Sequence, residues 1–581
     1  MRGAVDLAAA DIRRRYADVR ASYRISVEPI RDSLVGNQTA PLMALTTVVG
    51  FLLLVASVNV ATLLLARSVV RRREFAMRAI LGASRARHVR QLAAESCVLA
   101  TLGGLAGLLL VTWIARFTST LMPSVFSLQL GLGMPVIDRR VLGFTAFVSL
   151  ASAAIAGLIP AFGSWRSDPY GLLADSARTI TTGKGGRRLL ATLIGAETGL
   201  TLVLLAGAGL VIANFVRLAA SPLGFDAQGL LAIELTPPAS VYPPGAPRAD
   251  AIARMVDEIA GTPGVTSAAA TTVNPLGGGT WFAPVVSEET ALRNPGASFN
   301  VNDRIVSPSL FETMRTPILR GRAFSAKDGP AALPVVIVSE RLARSLWPGG
   351  EAIGKRVRIA VPGARWMTVV GVAADVSDAH EAGVPRETWY RPIAQNPGSA
   401  ALEHVFFMVR APGDPLRVAR AAALAIARVD KSLAPFNAED MTSYARRMLA
   451  RERLSAAFML AFGVFGLALA MLGIYAVVAF STAQRLPEFG IRVALGARRA
   501  DIVPLALNQS LVPAATGLLG GAVAALELNR VLASVLTKIP RIDAGVLGAA
   551  ALTLVAAATA AALVPTFRAA RVDPAIALKI E

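Results

Sequence analysis

The sequence predicts a polytopic α-helical membrane protein. About seven transmembrane helices form two three-helix units plus one linking helix, with one large α+β domain outside the membrane. Three observations predict it. Of the 581 residues, 54% are hydrophobic and 17% charged, and the mean hydropathy is +0.54; soluble domains carry about 25% charged residues. Seven stretches reach the roughly 20 apolar residues that a bilayer core about 30 Å thick requires. Between the fourth and fifth lies a long segment, 214–453, with the ordinary mixture of a globular domain.

The seven stretches run over 42–66, 93–115, 141–163, 190–213, 454–483, 503–526 and 544–567. The first, third, fifth and seventh hold no charged side chain. Glu95 and Glu197 interrupt the second and fourth, and Pro504 and Pro513 the sixth. Proline is tolerated in a membrane helix because neighbouring helices satisfy the freed carbonyls.

Basic residues set the orientation. Arg67, Arg71, Arg72, Arg73, Arg78, Arg85, Arg87 and Arg90 follow the first span, against Glu74 alone. Further clusters lie at Arg166 to Arg188, at Arg485 to Arg499 and at Arg568 and Arg571. Alternating crossings bring all four to one side, and the excess of Lys and Arg marks that side as the cytoplasm. The C-terminus is then cytoplasmic, while residues 1–40 and 214–453 lie outside. Within 214–453, Val335–Val338, Met367–Val372 and Val405–Val409 read as strands. Amphipathic helices are predicted at 248–261, 339–347 and 414–430.

Several function classes drop out. The net charge of +20 follows the membrane-flanking clusters, without the aromatic interleaving of a nucleic-acid surface, so no nucleic-acid partner is expected. Cys97 is a lone cysteine in an apolar stretch, and His88, His380 and His404 are scattered, so neither a disulfide nor a metal or other cofactor is expected. Gly349 to Lys355 fits the first seven positions of a phosphate-binding loop. Arg356 stands where Ser or Thr would hold Mg²⁺, and a strand is predicted next instead of a helix. No catalytic residue is therefore expected, and the chain reads as a non-enzyme.

A repeat carries the remaining signal. Glu74-Phe75-Ala76-Met77-Arg78-Ala79-Ile80-Leu81-Gly82-Ala83 recurs as Glu488-Phe489-Gly490-Ile491-Arg492-Val493-Ala494-Leu495-Gly496-Ala497. Each copy follows a span on its cytoplasmic side. Pro160, Phe162, Arg166, Asp168 and Pro169 recur as Pro565, Phe567, Arg571, Asp573 and Pro574. Glu74 with Arg78, and Glu488 with Arg492, have the acid-first spacing of a helical ion pair. Gly82 and Gly496 suit a helix terminus. A single copy would read as an amphipathic loop obeying the charge rule; two copies in register favour a docking surface.

At these residues the chain resembles the FtsX/MacB-type ABC permease family, and within it the large duplicated permeases of acidobacteria and related bacteria. The E-F-x-x-R-x-x-L-G-A loop and the closing P-x-F-x-x-x-R-x-D-P carry the permease likeness. Ser307 to Met314, Leu319 to Phe324, Val338 to Ala343, Trp347 to Arg356 and Val369 to Val372 resemble the MacB periplasmic core domain. The resemblance implies permease units at 41–175 and 454–581, a cytoplasmic linker at 176–189, a helix at 190–213 and a periplasmic core at 214–453. Residues 1–40 resemble only the tail of a first periplasmic domain, so the chain is expected to lack the N-terminal part of such a permease.

The resemblance further implies a multi-pass protein of the bacterial inner membrane. It would transmit the movement of a separate cytoplasmic ABC ATPase to the periplasmic domain, for export of a lipid, peptide or hydrophobic molecule. Its partners would be the lipid bilayer, that ATPase and optionally a periplasmic protein. Coupling would fall to Glu74, Phe75, Arg78, Leu81, Gly82, Glu488, Phe489, Arg492, Leu495 and Gly496. Glu197 stays open: it is a structural acid about two turns inside the cytoplasmic end near Arg187 and Arg188, or the proton carrier of an ATP-independent transporter. A membrane scaffold or sensor that regulates a periplasmic partner is the third alternative.

Overall fold

The computed structural model describes residues 39–70, 85–121, 138–165, 184–277, 281–294, 296–361, 363–377, 386–485, 488, 492, 495, 499–535 and 543–570. Four long helices come first: α1 (Thr39–Val70), α2 (Arg85–Leu121), α3 (Arg139–Trp165) and α4 (Lys184–Ala220). Each outruns its apolar stretch, because the backbone ladder continues past the point where the side chains turn polar.

The α+β unit spans Phe215–Ser455. Its elements are β1 (Leu230–Leu235), α5 (Ala246–Ala260), β2 (Ser267–Thr271), β3 (Phe282–Ser287), α6 (Glu288–Arg293), β4 (Phe299–Val306), α7 (Leu310–Met314), β5 (Ile318–Gly321) and β6 (Val335–Ser339). There follow α8 (Glu340–Leu346), β7 (Arg356–Ile359), β8 (Met367–Ala373), β9 (Thr388–Pro392), β10 (Val405–Arg410), α9 (Ala419–Val429), β11 (Phe436–Asp440) and α10 (Met441–Met448). The predicted strands at 335–338, 367–372 and 405–409 are β6, β8 and β10. The predicted helices are α5, α8, and a 3₁₀ turn at Pro415–Val418 leading into α9. Strand-to-helix turns are set by capping side chains, which accept from the first free N–H groups. Ser287 accepts from Thr290 N, Ser339 from Leu342 N, and Asp440 from Thr442 N and Ser443 N.

The sheet has two parts joined at β4. The order β11-β1-β10-β2 forms an antiparallel layer, linked to β4 through Thr271 and Val306. Helices α5 and α9 cover one face, where Ile233, Ile252, Met255, Phe407 and Ile426 meet. The other face packs Ala232, Met408 and Met441 with Phe311 of α7 and Tyr390. Burial on both faces explains the apolar runs Leu230–Ile233 of β1 and Val405–Val409 of β10. Beyond β4 the sheet closes on itself: β4-β3-β7-β8-β6-β9 returns to β4 through a parallel pairing, Asn302 to Val306 against Thr388 to Pro392. Val285, Val336, Val338, Val357, Val369 and Trp389 fill this ring.

The last helices are α11 (Ala450–Gln484), α12 (Arg499–Val535) and α13 (Ala544–Ala570). With α1 to α4 they belong to the second compact unit. Helix α12 runs unbroken through Pro504 and Pro513, as tolerance of proline in membrane helices allows. Among the described residues, six helices are long and apolar enough to cross a membrane, over Leu45–Leu64, Ala94–Trp113, Arg188–Ala220, Glu452–Gln484, Leu511–Arg530 and Ala544–Arg568. Helix α3 has 27 residues, about 40 Å at 1.5 Å per residue.

Helix α3 packs on α1 and α2, and α12 on α13. Helix α4 packs on several neighbours: Ile194 meets Val477 and Ala514, and Leu202 meets Ala470 and Leu554. The outward faces are apolar. Leu109, Phe147, Leu519 and Leu552 are each more than 70% exposed, as a surface bathed in hydrocarbon requires and one bathed in water rarely allows.

Candidate functional site

The first copy of the repeated loop, with Glu74, Phe75, Arg78, Leu81 and Gly82, lies outside the described residues, as do Phe489 and Gly496 of the second. Glu488 and Arg492 are placed, both helical, with Arg492 Nη2 2.8 Å from Glu488 Oε1. Arg485 Nε approaches the same carboxylate at 3.7 Å. An exposed pair of this kind adds only about 0.3–0.5 kcal/mol, so it orients the turn more than it stabilises it. Leu495 stands beyond the pair with 83% of its surface exposed. The loop thus presents an apolar side chain beside a pinned arginine.

Inside the bundle, α4 and α12 meet through four glycines. A methyl group on Gly517 would lie 2.2 Å from Gly195 O, and one on Gly521 2.6 Å from Gly199 O. Two small-xxx-small pairs thus face one another, and the backbones touch. Gly517 and Gly521 make this contact, whereas Gly103 and Gly107, spaced in the same way on α2, face open space. An open apolar groove of about 450 Å³ runs along the crossing, bordered by Phe51, Leu200, Val203 and Leu528.

Glu197 lies beside that crossing and is 1% exposed. It is crowded by other helices: a methyl group on Gly473 of α11 would lie within 2.4 Å of both its carboxyl oxygens and of Asn59 Oδ1 of α1. Arg188 is exposed. Asn59 and Gly473 escape the sequence reading because each is unremarkable in its own span; the available signal is a lone amide in a charge-free apolar helix.

Several charges of the α+β unit sit in fixed pairs. Lys355, last residue of the loop that mimics a phosphate-binding motif, has its Nζ 2.7 Å from Glu289 Oε1, and strand β7 follows it. Trp347 Nε1 donates to Glu289 Oε2 at 2.9 Å. Burial opposes the charge on Glu289, but these donors outweigh it and hold the carboxyl down to about 2. A depressed value contributes stability above the ordinary 4.5, and that contribution is lost as pH falls through about 2. Glu289→Gln is therefore expected to flatten the acid-side decline of the unfolding midpoint across that window, read by Trp347 fluorescence at stepped pH.

Deeper in the unit, Arg391 of β9 reaches across the parallel pairing to Asp303 of β4: Nε donates to Oδ1 at 2.9 Å, Nη2 bonds Oδ2, and Nη1 bonds Asn396. Both side chains are about nine-tenths buried. Arg410 gathers three backbone carbonyls, of Thr313, Gln228 and Asp226, with Nη1 and Nη2 at 2.7 Å from the last two. These are structural clamps. Among the described residues no group of His, Cys, Asp and Glu could hold a metal ion.

Long apolar helices before and after a large folded unit define a membrane protein with a domain outside the bilayer. The model of the FtsX-like permease C-terminal region matches residues 46–169 and 460–574, and that of the MacB-like periplasmic core domain matches 201–425. The chain belongs to the FtsX/MacB-like permease family. It is 25% identical over 250 residues to the probable export ATP-binding/permease protein MacB of Pseudomonas entomophila, a match over 42% of this chain and 36% of that one. It is 24% identical over 257 residues to the macrolide export ATP-binding/permease protein MacB of Chromobacterium violaceum, covering 42% and 38%. The chain thus spans less than half the length of these relatives. The crystal structure of the periplasmic region of MacB from Actinobacillus actinomycetemcomitans aligns over 40% of this chain and 98% of that one, at 11% identity and a TM-score of 0.28. The polytopic helical membrane protein with a large periplasmic domain expected from the sequence is the architecture found.

Proposed function

We propose that this chain is the membrane permease of an ABC-type export system and passes the movement of a separate cytoplasmic ATPase through its helices to the periplasmic domain. The observation that carries this reading is the order of parts in one chain, FtsX-like permease regions on either side of a MacB-like periplasmic core. The basic clusters support an inner-membrane topology with the C-terminus cytoplasmic and 214–453 periplasmic. On that topology 41–175 and 454–581 act as permease units, 176–189 as a cytoplasmic linker and 190–213 as the helix entering the periplasmic domain. The cargo class is a lipid, peptide or hydrophobic small molecule. The macrolide named for one relative supports it, as do spans with few polar groups for a midplane substrate site.

In this reading the ATPase docks on the paired loops. Glu74 with Arg78 and Glu488 with Arg492 stiffen each turn, Phe75, Leu81, Phe489 and Leu495 supply the apolar contacts, and Gly82 and Gly496 end the short helices. The test is a pull-down of the tagged chain in mild detergent from its native membrane, scored for a co-purifying ATPase. Reversing charge at both sites, Glu74→Lys with Glu488→Lys, is expected to weaken association about tenfold, a ~1.4 kcal/mol change, with membrane insertion intact. Unchanged association in the double variant removes the docking assignment.

A further inference from the structure

One buried polar cluster of the bundle has no part in the function proposed above. Helices α1 and α11 open the two repeated units, and Asn59 and Gly473 hold the same place in them. Each lies fifteen residues before the Glu-Phe pair of its own unit, Glu74-Phe75 or Glu488-Phe489. In the fold these repeat-related positions meet. Asn59 Nδ2 donates to Leu469 O at 2.8 Å, one turn before Gly473, and a methyl group on Gly473 would sit 2.2 Å from Asn59 Oδ1. Glu197 enters this crossing from α4, outside both permease-like regions. The same methyl group would lie 2.3 and 2.4 Å from its carboxyl oxygens.

Asn59 Oδ1 and Glu197 Oε1 are therefore crowded around one point. Both are buried and neither has a hydrogen-bond partner. Two bare acceptors side by side repel, and a carboxylate taken from water without a cation loses its hydration uncompensated. The charged groups on the surrounding helices lie far along their axes. Arg188 is nine residues from Glu197 and Arg217 twenty; Glu452 and Arg453 precede Gly473 by about twenty, and Arg485 follows it by twelve. On α12, Glu527 and Arg530 lie six and nine residues beyond Gly521, the partner of Gly199, and on α1 the first charge, Arg67, is eight from Asn59. At 1.5 Å per residue these separations are about 9 Å or more along the helix axes. Tyr475, the nearest titratable side chain on α11, bonds Arg568 of α13. The hydroxyl of Thr201, one turn on from Glu197, is itself without a partner. No hydrogen bond from a described neighbour, the Thr201 hydroxyl included, reaches either oxygen.

We propose that Glu197 is a proton-binding site: as a neutral carboxylic acid it donates its O–H to Asn59 Oδ1, so that a single proton ties α4 to the crossing of α1 and α11. The proton comes from solvent, adds to Oε1 and leaves the group uncharged, so no counter-ion is needed. It satisfies both orphan oxygens at once. Asn59 then bridges α1 to the Leu469 carbonyl of α11 and to Glu197 of α4. The repeat shows why the site is single: glycine at 473, where the other copy has asparagine, leaves the space the acid fills. The two permease halves are thus pinned by hydrogen bonds where their equivalent helices cross.

The test is infrared spectroscopy of the full chain in lipid nanodiscs at neutral pH, as the difference between wild type and Glu197→Gln. The wild type is expected to show a carboxylic-acid C=O stretch that the variant lacks and that shifts in D₂O. Asn59→Leu, which removes the acceptor, is expected to move that band to higher frequency. Loss of a carboxylate stretch instead of an acid stretch overturns the proposal. Unfolding midpoints keep it falsifiable if the bands overlap. Glu197→Gln retains an N–H donor and should melt near wild type, while Glu197→Leu melts well below it. Equal losses in the two variants would show that no donated hydrogen is at work.

Discussion

Arg391→Met is expected to destabilise the α+β unit by about 3–5 kcal/mol, the cost of leaving a buried charge without its partner. The unfolding midpoint of that unit then falls by about 10 °C. Asp303 keeps its carboxylate inside the ring but loses the two-pronged bond that Arg391 Nε and Nη2 make to it. The site also closes the ring, since β4 and β9 pair in parallel at these residues. Trp389 reports locally, with the Arg391 guanidinium 5.3 Å above its ring. Fluorescence-detected melting of the full chain checks the value. Replacing both partners, Asp303→Leu with Arg391→Met, is expected to recover most of the loss, because no orphan charge remains. A double variant as unstable as the single one would show that the pair matters through packing and not through charge.

Gly517→Ala is expected to separate α4 from α12. The added methyl group would lie 2.2 Å from the Gly195 carbonyl oxygen; that atom belongs to a helix backbone and cannot turn aside. Overpacking of this kind costs about 1–3 kcal/mol. In a membrane the loss is compounded, because close backbone approach is itself the source of helix association. Gly520→Ala is the control: it lies on the same helix, three residues away, and a methyl group there meets nothing within 4 Å. The first variant should lower the melting temperature and protease resistance of the chain in detergent, and the second should leave both unchanged. Equal effects would mean that helix propensity, not the crossing, sets the response.

The spans were legible because a bilayer imposes one length and one composition on whatever crosses it. Strands β6, β8 and β10 were legible because burial on both faces makes their sequences continuously apolar. Other elements left no such mark. Strand β2 reads Ser-Ala-Ala-Ala-Thr, a sequence of low strand propensity that is held in place by β10 beside it. The closure of the ring joins residues near 303 to residues near 390, and no local pattern records a pairing over that distance.

The ten proposed coupling-loop residues were read from the duplication alone, and the described residues include Glu488, Arg492 and Leu495 of them. Glu197 was visible as an acid in an apolar run, but its surroundings were not. From spacing it belongs with Arg187 and Arg188 on its own helix; its partners are Asn59 and Gly473, 138 residues before it and 276 after it.

By itself the sequence determined that this chain lives in a bilayer, that its permease unit is repeated and that a folded domain of about 240 residues lies between the copies. Those properties follow from local composition and from self-comparison. Only the tertiary structure decided that Asn59 and Gly473 meet, that four glycines bring α4 and α12 into backbone contact, and that Arg391 locks the ring. Each depends on which helix faces or strands are opposed in space. That choice is made by the packing of side chains far apart in the chain, where no periodicity carries the information.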